Sequence, residues 1–568
     1  MPELPKFNIS GGWKPDYLPY KMPEGGCQIV KNLIPFTDHY VKMPTGVEMT
    51  SNGVSGTVLN SYIVRRGSVL YTYIGTTTGL YRLESDHTVT NLSRPTAYST
   101  ASGETWSYAL FGDWLIATNY SDEMQVLKAA TKTQAAVTSI TSVGTTATVT
   151  TTAAHGLSNN DNVLISGATE TEYNGRYTIT STGANTFTYT FAGSATSPAT
   201  GTILWERAFQ NLAGTPPKAR YITNVKGCII AGYLYESSTT YPRRVRWSAL
   251  ENPESWTASA TTMSGFQTIA DMDGTIKGLG RIGTDSAAIF SEDAITTMFF
   301  IGSPYIFRFQ NNVVKGYGLI SSGALTEVNN GIIYWSSDDI YIFDGNNSVS
   351  LGDGIRKSQL ENIDLENSHK IWNAHDPINT MIYTTVPSLA QTDDAPDRVV
   401  CHNYGKGKFT YIEGSYPAIC FLSPILTMDD LTFLGYADDI IELIDSRIFT
   451  RLGTCLGYVD KTSGKVGIFL GMPKTGLIHS AEMYTGNRLM ISGVKPLCNR
   501  AASGAVSCRI GHRENVSDEV SYTAVSTANR DGYCDVLAAG KLLSVEVSLG
   551  RHYGIADIEV QLAELGAF

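Results

Sequence analysis

One unit returns along this chain: an apolar strand, a short polar turn, then an aromatic strand. It stands at 68–84 (SVLYTYIGTTTGLYRLE), 111–128, 226–256, 285–300, 330–347, 379–414 and 430–445. Apolar residues alternate within each copy and the turns carry Gly, Asp, Ser or Asn, the pattern of an antiparallel hairpin with a buried face. Imperfect copies spaced by roughly 40 to 60 residues match the blade length of a β-propeller. Each blade buries its faces against its neighbours, so the sequence can drift while the strand pattern stays. Two stacked sandwiches are the competing architecture; the regular spacing favours an all-β propeller of six or seven blades. Composition agrees, because charged residues are only 17% of the chain while Gly reaches 54 and Tyr 31. That balance suits sheets and turns better than surface helices. The best helix candidate, 357–368, lacks a broad apolar face.

The repeat is interrupted at 138–204, where Thr/Val and Tyr/Thr/Phe runs alternate between turn clusters such as SNND and GATETEYNG. This predicts four to five short antiparallel strands, a small inserted sandwich or barrel module. The pattern ATVTTTAAHGL…DNVLISGATETEYNGRYTIT…NTFTYTF resembles a β-module of tail and fibre proteins of tailed bacteriophages. The propeller is then expected over 51–137 and 205–450. Five prolines between positions 15 and 44 forbid long regular elements in the first 50 residues. Residues 1–50 are read as an extended segment that either closes the ring or reaches an adaptor or a neighbouring subunit. From 451 to 568 the hairpin unit is lost, and strict alternation over 505–511, 519–525, 541–549 and 554–562 predicts a separate antiparallel β domain.

The phrases NLIPFTDHYVKMPTGVE near the start, PRRVRWSALENPESW at 242–256 followed by GFQTI, and GLGRIGTDSAAIFSEDAITTMFFIGSPYIFRFQ at 278–310 extend the likeness over most of 20–445. Together they resemble tail nozzle proteins of short-tailed bacteriophages, also described as tail tubular protein B or DNA-stabilisation tail hub. The resemblance implies a structural virion protein, a homohexamer attached below the portal-adaptor ring and neighbouring tail fibres or spikes. It implies a lumen that retains genomic DNA and conducts it out during ejection without sequence-specific binding. The C-terminal domain would form the nozzle tip or a platform. The expected location is the virion tail, after assembly in the host cytoplasm. A net charge of −11 fits such a conduit, because an acidic wall repels the duplex, whereas proteins that grip phosphates use basic patches.

Chemical motifs point to no catalytic, cofactor or metal residue. Gly278, Gly280 and Gly283 satisfy GxGxxG as a string, but the following TDSAAIFSEDAITTMFF reads as a hairpin rather than the helix that a pyrophosphate needs. Paired acids stand at Asp338-Asp339, Asp393-Asp394, Asp429-Asp430 and Asp438-Asp439. Neighbours on a strand face opposite ways, so none alone makes the opposed pair of a glycosidase. Asp271 and Asp273 with Gly274 read as a turn, lacking the distal Glu of a calcium loop. His155 is expected to order its own loop, and Trp247, Trp256 and Trp335 to pack cores. Eight cysteines without any CxxC are expected reduced and structural, a Cys498–Cys508 bridge being the one pairing considered. MPELPKFNISGG shows no secretory signal pattern, and no apolar run approaches a membrane span. We therefore expect no enzyme, no cofactor and no membrane insertion. The alternative is a propeller-based carbohydrate-binding or glycan-degrading tail protein, which would need a cleft with opposed carboxylates and exposed aromatic rings.

Overall fold

A computed structural model describes residues 6–67, 69–390, 396–416, 418–422, 455–498, 505–550 and 554–564. The described residues form a seven-bladed β-propeller with two additions. Each blade is an antiparallel array of four strands. The first strands of the blades are Val58–Arg66, Ser107–Phe111, Lys218–Val225, Ile276–Ile282, Leu325–Val328, Trp372–Asp376 and Ala418–Leu422. Each packs against the next, and Ala418–Leu422 returns to Val58–Arg66, so the ring is closed around an axis lined by these strands. Second strands lie between two neighbouring blades, and several are buried on both faces. Met381–Val386 is buried at every position, and Ser286–Ser291 at all but its first. Alternation is therefore weakest where burial is deepest.

The seventh blade joins distant parts of the sequence. Its strands are Ala418–Leu422, Cys455–Val459 and Lys465–Pro473, completed by Pro44–Gly53 from the other end of the chain. Ile468 faces Val47, and Phe469 faces Gly46 in this closing ladder. The boundaries expected at 50–51 and 450–451 are corrected accordingly: 44–53 and 455–473 belong to the propeller. The hairpin expected at 430–445 lies outside the described residues.

Residues 1–50 are likewise not a free arm where they are described. Gly26–Lys31 pairs with Gly476–Ser480, and at Lys31 it bridges to Tyr411 of the sixth blade. Tyr40–Lys42 pairs with Gly554–Glu564. The prolines stand between short strands or at their ends, as Pro35 ends Leu33–Pro35 and Pro44 opens Pro44–Gly53. The C-terminal body is a sheet of Gly476–Ser480, Met483–Cys498, Val506–Arg513, Ala538–Leu549 and Gly554–Glu564. One hydrophobic core runs from Val545 and Ile510 in this sheet to Phe290, Trp335 and Ile382 in the blades. It is not a separate core as the sequence pattern suggested.

The insertion enters the second blade between its third strand, Gln125–Leu127, and its fourth, Gln210–Asn211. Seven strands between Ala135 and Arg207 form its sheet around a core of its own, including Tyr173, Phe187 and Trp205. Arg82 of the first blade, 1% exposed, reaches Glu84 at 2.6 Å and Glu206 of the insertion at 2.7 Å. Lys132 meets Glu84 at 3.1 Å, leaving two cations against two carboxylates in this junction. Helix is confined to short turns; the expected helix shrinks to Arg356–Leu360, whose N–H groups at Lys357 and Ser358 bond the Asp16 carboxylate. All eight cysteines are free, so Cys498 and Cys508 are not bridged.

Candidate functional site: the propeller axis

Most motifs singled out in the sequence prove to be architecture. Gly278 and Gly280 lie on the first strand of the fourth blade, where a Cβ would come within 2.6 Å of Leu319 and 2.7 Å of Ile332. They admit the fifth blade. Gly283 sits in the following turn at φ +63, a conformation that glycine adopts without strain. Asp339, 1% exposed, accepts the Ile340 N–H at 2.7 Å and the Ser350 hydroxyl at 2.5 Å, while Asp338 accepts the Tyr341 hydroxyl. This pair fixes a hairpin turn. The pairs 393–394, 429–430 and 438–439 lie outside the described residues. Asp271 offers its carbonyl to Asn312 across a turn, and Gly274 adopts φ +76.

His155 orders its loop from both ring nitrogens. Nδ1 accepts the Leu157 N–H at 2.9 Å, and Nε2 donates toward the Gly183 carbonyl at 2.9 Å. Trp247, Trp256 and Trp335 are buried. The phrase 242–256 is a joint between blades: Trp256 packs with Ile116 and Val126 of the second blade, Trp247 with Ile276 and Ile289 of the fourth. Within it, Arg244 and Arg246 share the Glu236 carboxylate at 2.7 and 2.5 Å.

The residues that converge are others, brought to the axis by separate blades. Side chains stitch adjacent first strands there. Asn60 donates to the Trp106 carbonyl at 2.6 Å, and Asn224 to the Leu110 carbonyl at 2.7 Å. Glu327 accepts the Arg281 N–H at 2.6 Å, and Asn373 donates to Thr326 at 2.9 Å. Inside blades one to five this ring leaves a cavity of about 420 Å³, lined by Tyr62, Trp106, Tyr221, Arg281 and Glu327 among others. Water reaches the Glu327 carboxylate, yet the enclosing protein raises its pKa, with the Arg281 N–H and charge opposing. The same enclosure raises the pKa of Tyr62, whose ring stacks on Tyr108 with centroids 5.5 Å apart. Among the described residues, neither the Tyr62 nor the Tyr221 hydroxyl has a hydrogen-bond partner, and the Arg281 guanidinium has no ion-pair partner. A smaller adjoining cavity of about 100 Å³ holds Glu104, which Arg220 occupies at 2.7 Å. No one sequence motif joins these residues, because they stand on different blades; Arg281 alone falls within a string singled out above, the GLGRIG of 278–283. Their shared signal is only that they lie on first strands.

No protein-family profile and no curated protein matches the chain. Similar solved structures include YCF48 bound to D1 peptide, at 9% identity and TM-score 0.33, covering 77% of this chain and 97% of that one. Phage phi92 endosialidase matches at 12% identity and TM-score 0.18, over 89% of this chain and 69% of that one. The exo-β-1,3-galactanase of Phanerochaete chrysosporium with galactose matches at 8% identity and TM-score 0.24, covering 91% of this chain and all (100%) of that one. Superpositions this partial assign neither a family nor an activity.

Proposed function

We propose that the chain is a non-enzymatic structural protein of a short-tailed phage virion, the tail nozzle. The supporting observation is the continuity of its β structure. One stretch, 26–53, supplies a strand to the C-terminal sheet and then the last strand of the seventh blade. The propeller and the C-terminal body therefore cannot part without breaking ladder hydrogen bonds at several places, a construction suited to a wall under outward pressure. The specific phrase 242–256 supports the same reading, since its tryptophans lock three blades together. Six copies closing by heterologous contacts would surround a lumen, each copy carrying a net charge of −11. Acidic loops would keep DNA from adhering, below a portal-adaptor ring and beside fibres or spikes. Cryo-electron microscopy of virions tests this. Six copies around an axial channel support it; peripheral trimers, absence from virions or a basic lumen overturn it.

A second reading, a carbohydrate-binding propeller, is favoured by the axial cavity, where aromatic rings and unpartnered polar groups meet. Its hydrolytic form has less support. One carboxylate, Glu327, lines that cavity, and the neighbouring Glu104 is taken up by Arg220. A glycosidase works with two carboxylates facing one bond.

A further inference from the structure

We propose that the axial cavity is a binding site for one neutral saccharide residue, a reading that rests on the carbohydrate-binding alternative and gives it a place and a ligand class. A volume of about 420 Å³ lies within the usual range for small-molecule sites and exceeds what one hexose ring fills. The polar groups that line it are of complementary kinds. Glu327 offers its second carboxylate oxygen beside the one bonded to the Arg281 N–H, the Arg281 guanidinium offers a donor fork, and the Tyr62 and Tyr221 hydroxyls serve as either. Groups without protein partners on the wall of a water-filled cavity exchange water for ligand at little loss, and charge-assisted bonds to hydroxyls are the stronger ones.

Charge selects the class. Glu327 and Arg281 are the two ionisable carboxyl and guanidinium groups lining the cavity, so its formal charge is zero. In the adjoining cavity Arg220 is matched by Glu104, and Lys277 is matched by Glu292 at 3.1 Å. An anionic ligand would meet Glu327 unscreened, and a cationic one would meet Arg281. A neutral ring with several hydroxyls satisfies both. The Tyr62 ring, held by its stack on Tyr108, adds an apolar face of the kind that C–H surfaces of sugars lie against.

The test uses the full chain and saturation-transfer NMR with the methyl glycosides of neutral hexoses and N-acetylhexosamines, and a uronic acid as anionic control. The variants Glu327→Gln, which keeps an acceptor for the Arg281 N–H, and Tyr62→Phe, which keeps the ring stack, guard against misfolding. We expect transfer to at least one neutral glycoside, a Kd at least tenfold weaker in Glu327→Gln, and an unchanged melting temperature in both variants. Absence of transfer to every neutral probe, or transfer to the uronic acid alone, overturns the proposal. A glycan array run in parallel separates the two levels. Glycans bound equally by wild type and both variants leave carbohydrate binding standing while removing it from this cavity; no bound glycan removes both.

Discussion

At the scale of single residues, the fold is held by buried polar groups whose partners come from far away in sequence. Arg82 is enclosed between Glu84 and Glu206, which lie on different parts of the molecule. Arg82→Met would strand the buried Glu206 carboxylate and leave Glu84 to Lys132 alone, and removing one member of such a group costs about 3–5 kcal/mol. We expect hydrogen-exchange protection of Gly201–Arg207 to collapse in this variant. The double variant with Glu206→Gln should recover most of it, because Glu84 still meets Lys132 and no buried charge is then left alone. His402 gives a test of the opposite kind. It is buried against Phe409, rings stacked at 4.1 Å, and its Nε2 has no hydrogen-bond partner. Burial pushes its pKa down to about 3. An unfolded histidine takes up its proton near pH 6.5. The neutral ring therefore contributes stability above that pH, which is lost progressively as pH falls toward about 3. His402→Phe should melt increasingly above the wild type as the buffer is taken from pH 7 to pH 4; parallel curves would refute this assignment.

At the scale of elements, the strap 26–53 makes a specific demand. Ser55, Gly56 and Thr57 are exposed just after the strand that closes the seventh blade. A protease site placed there should be cut readily, yet the N-terminal fragment should stay with the rest through gel filtration. It is held by Pro44–Gly53 in one sheet and by Gly26–Lys31 and Tyr40–Lys42 in another. Free release of the fragment would show that these ladders do not bear load. The insertion should behave as the reverse case. Its core, with Tyr173, Phe187 and Trp205, is its own, so residues 134–208 expressed alone should give a dispersed NMR spectrum of a folded β domain. How much of this was legible in sequence follows from which contacts are local. Six blades begin as hairpins whose alternation can be read along the chain. The seventh blade cannot be read that way, because Val47 and Ile468, which face each other in its closing ladder, come from distant parts of the sequence. The prolines before Pro44 keep the elements short, as expected, but strands of three to six residues fit between them. The axial residues were illegible for a related reason: Tyr62, Tyr221, Arg281 and Glu327 share a cavity and no motif.

At the scale of the whole molecule, charge decides how the chain meets nucleic acid. The chain has 42 Lys and Arg against 53 Asp and Glu. Many of the cations are already engaged: Arg509 lies against Glu546 at 2.7 Å, Arg513 against Glu482 at 2.5 Å, and Arg207 against Asp161 at 3.1 Å. A cation held in such a pair cannot replace the counterions of a phosphate backbone, and that replacement supplies most non-specific affinity for DNA. The isolated protein should accordingly give no mobility shift with duplex DNA even at about 50 mM salt, where phosphate-gripping proteins bind most strongly. The experiment discriminates between two kinds of wall. If binding appears and weakens steeply with salt, cations line the DNA-facing surface and the low-friction conduit fails. If none appears, the duplex meets a surface that neither grips nor reads it, and retention of DNA in a tail would have to come from how narrowly the assembled copies enclose the lumen rather than from attraction.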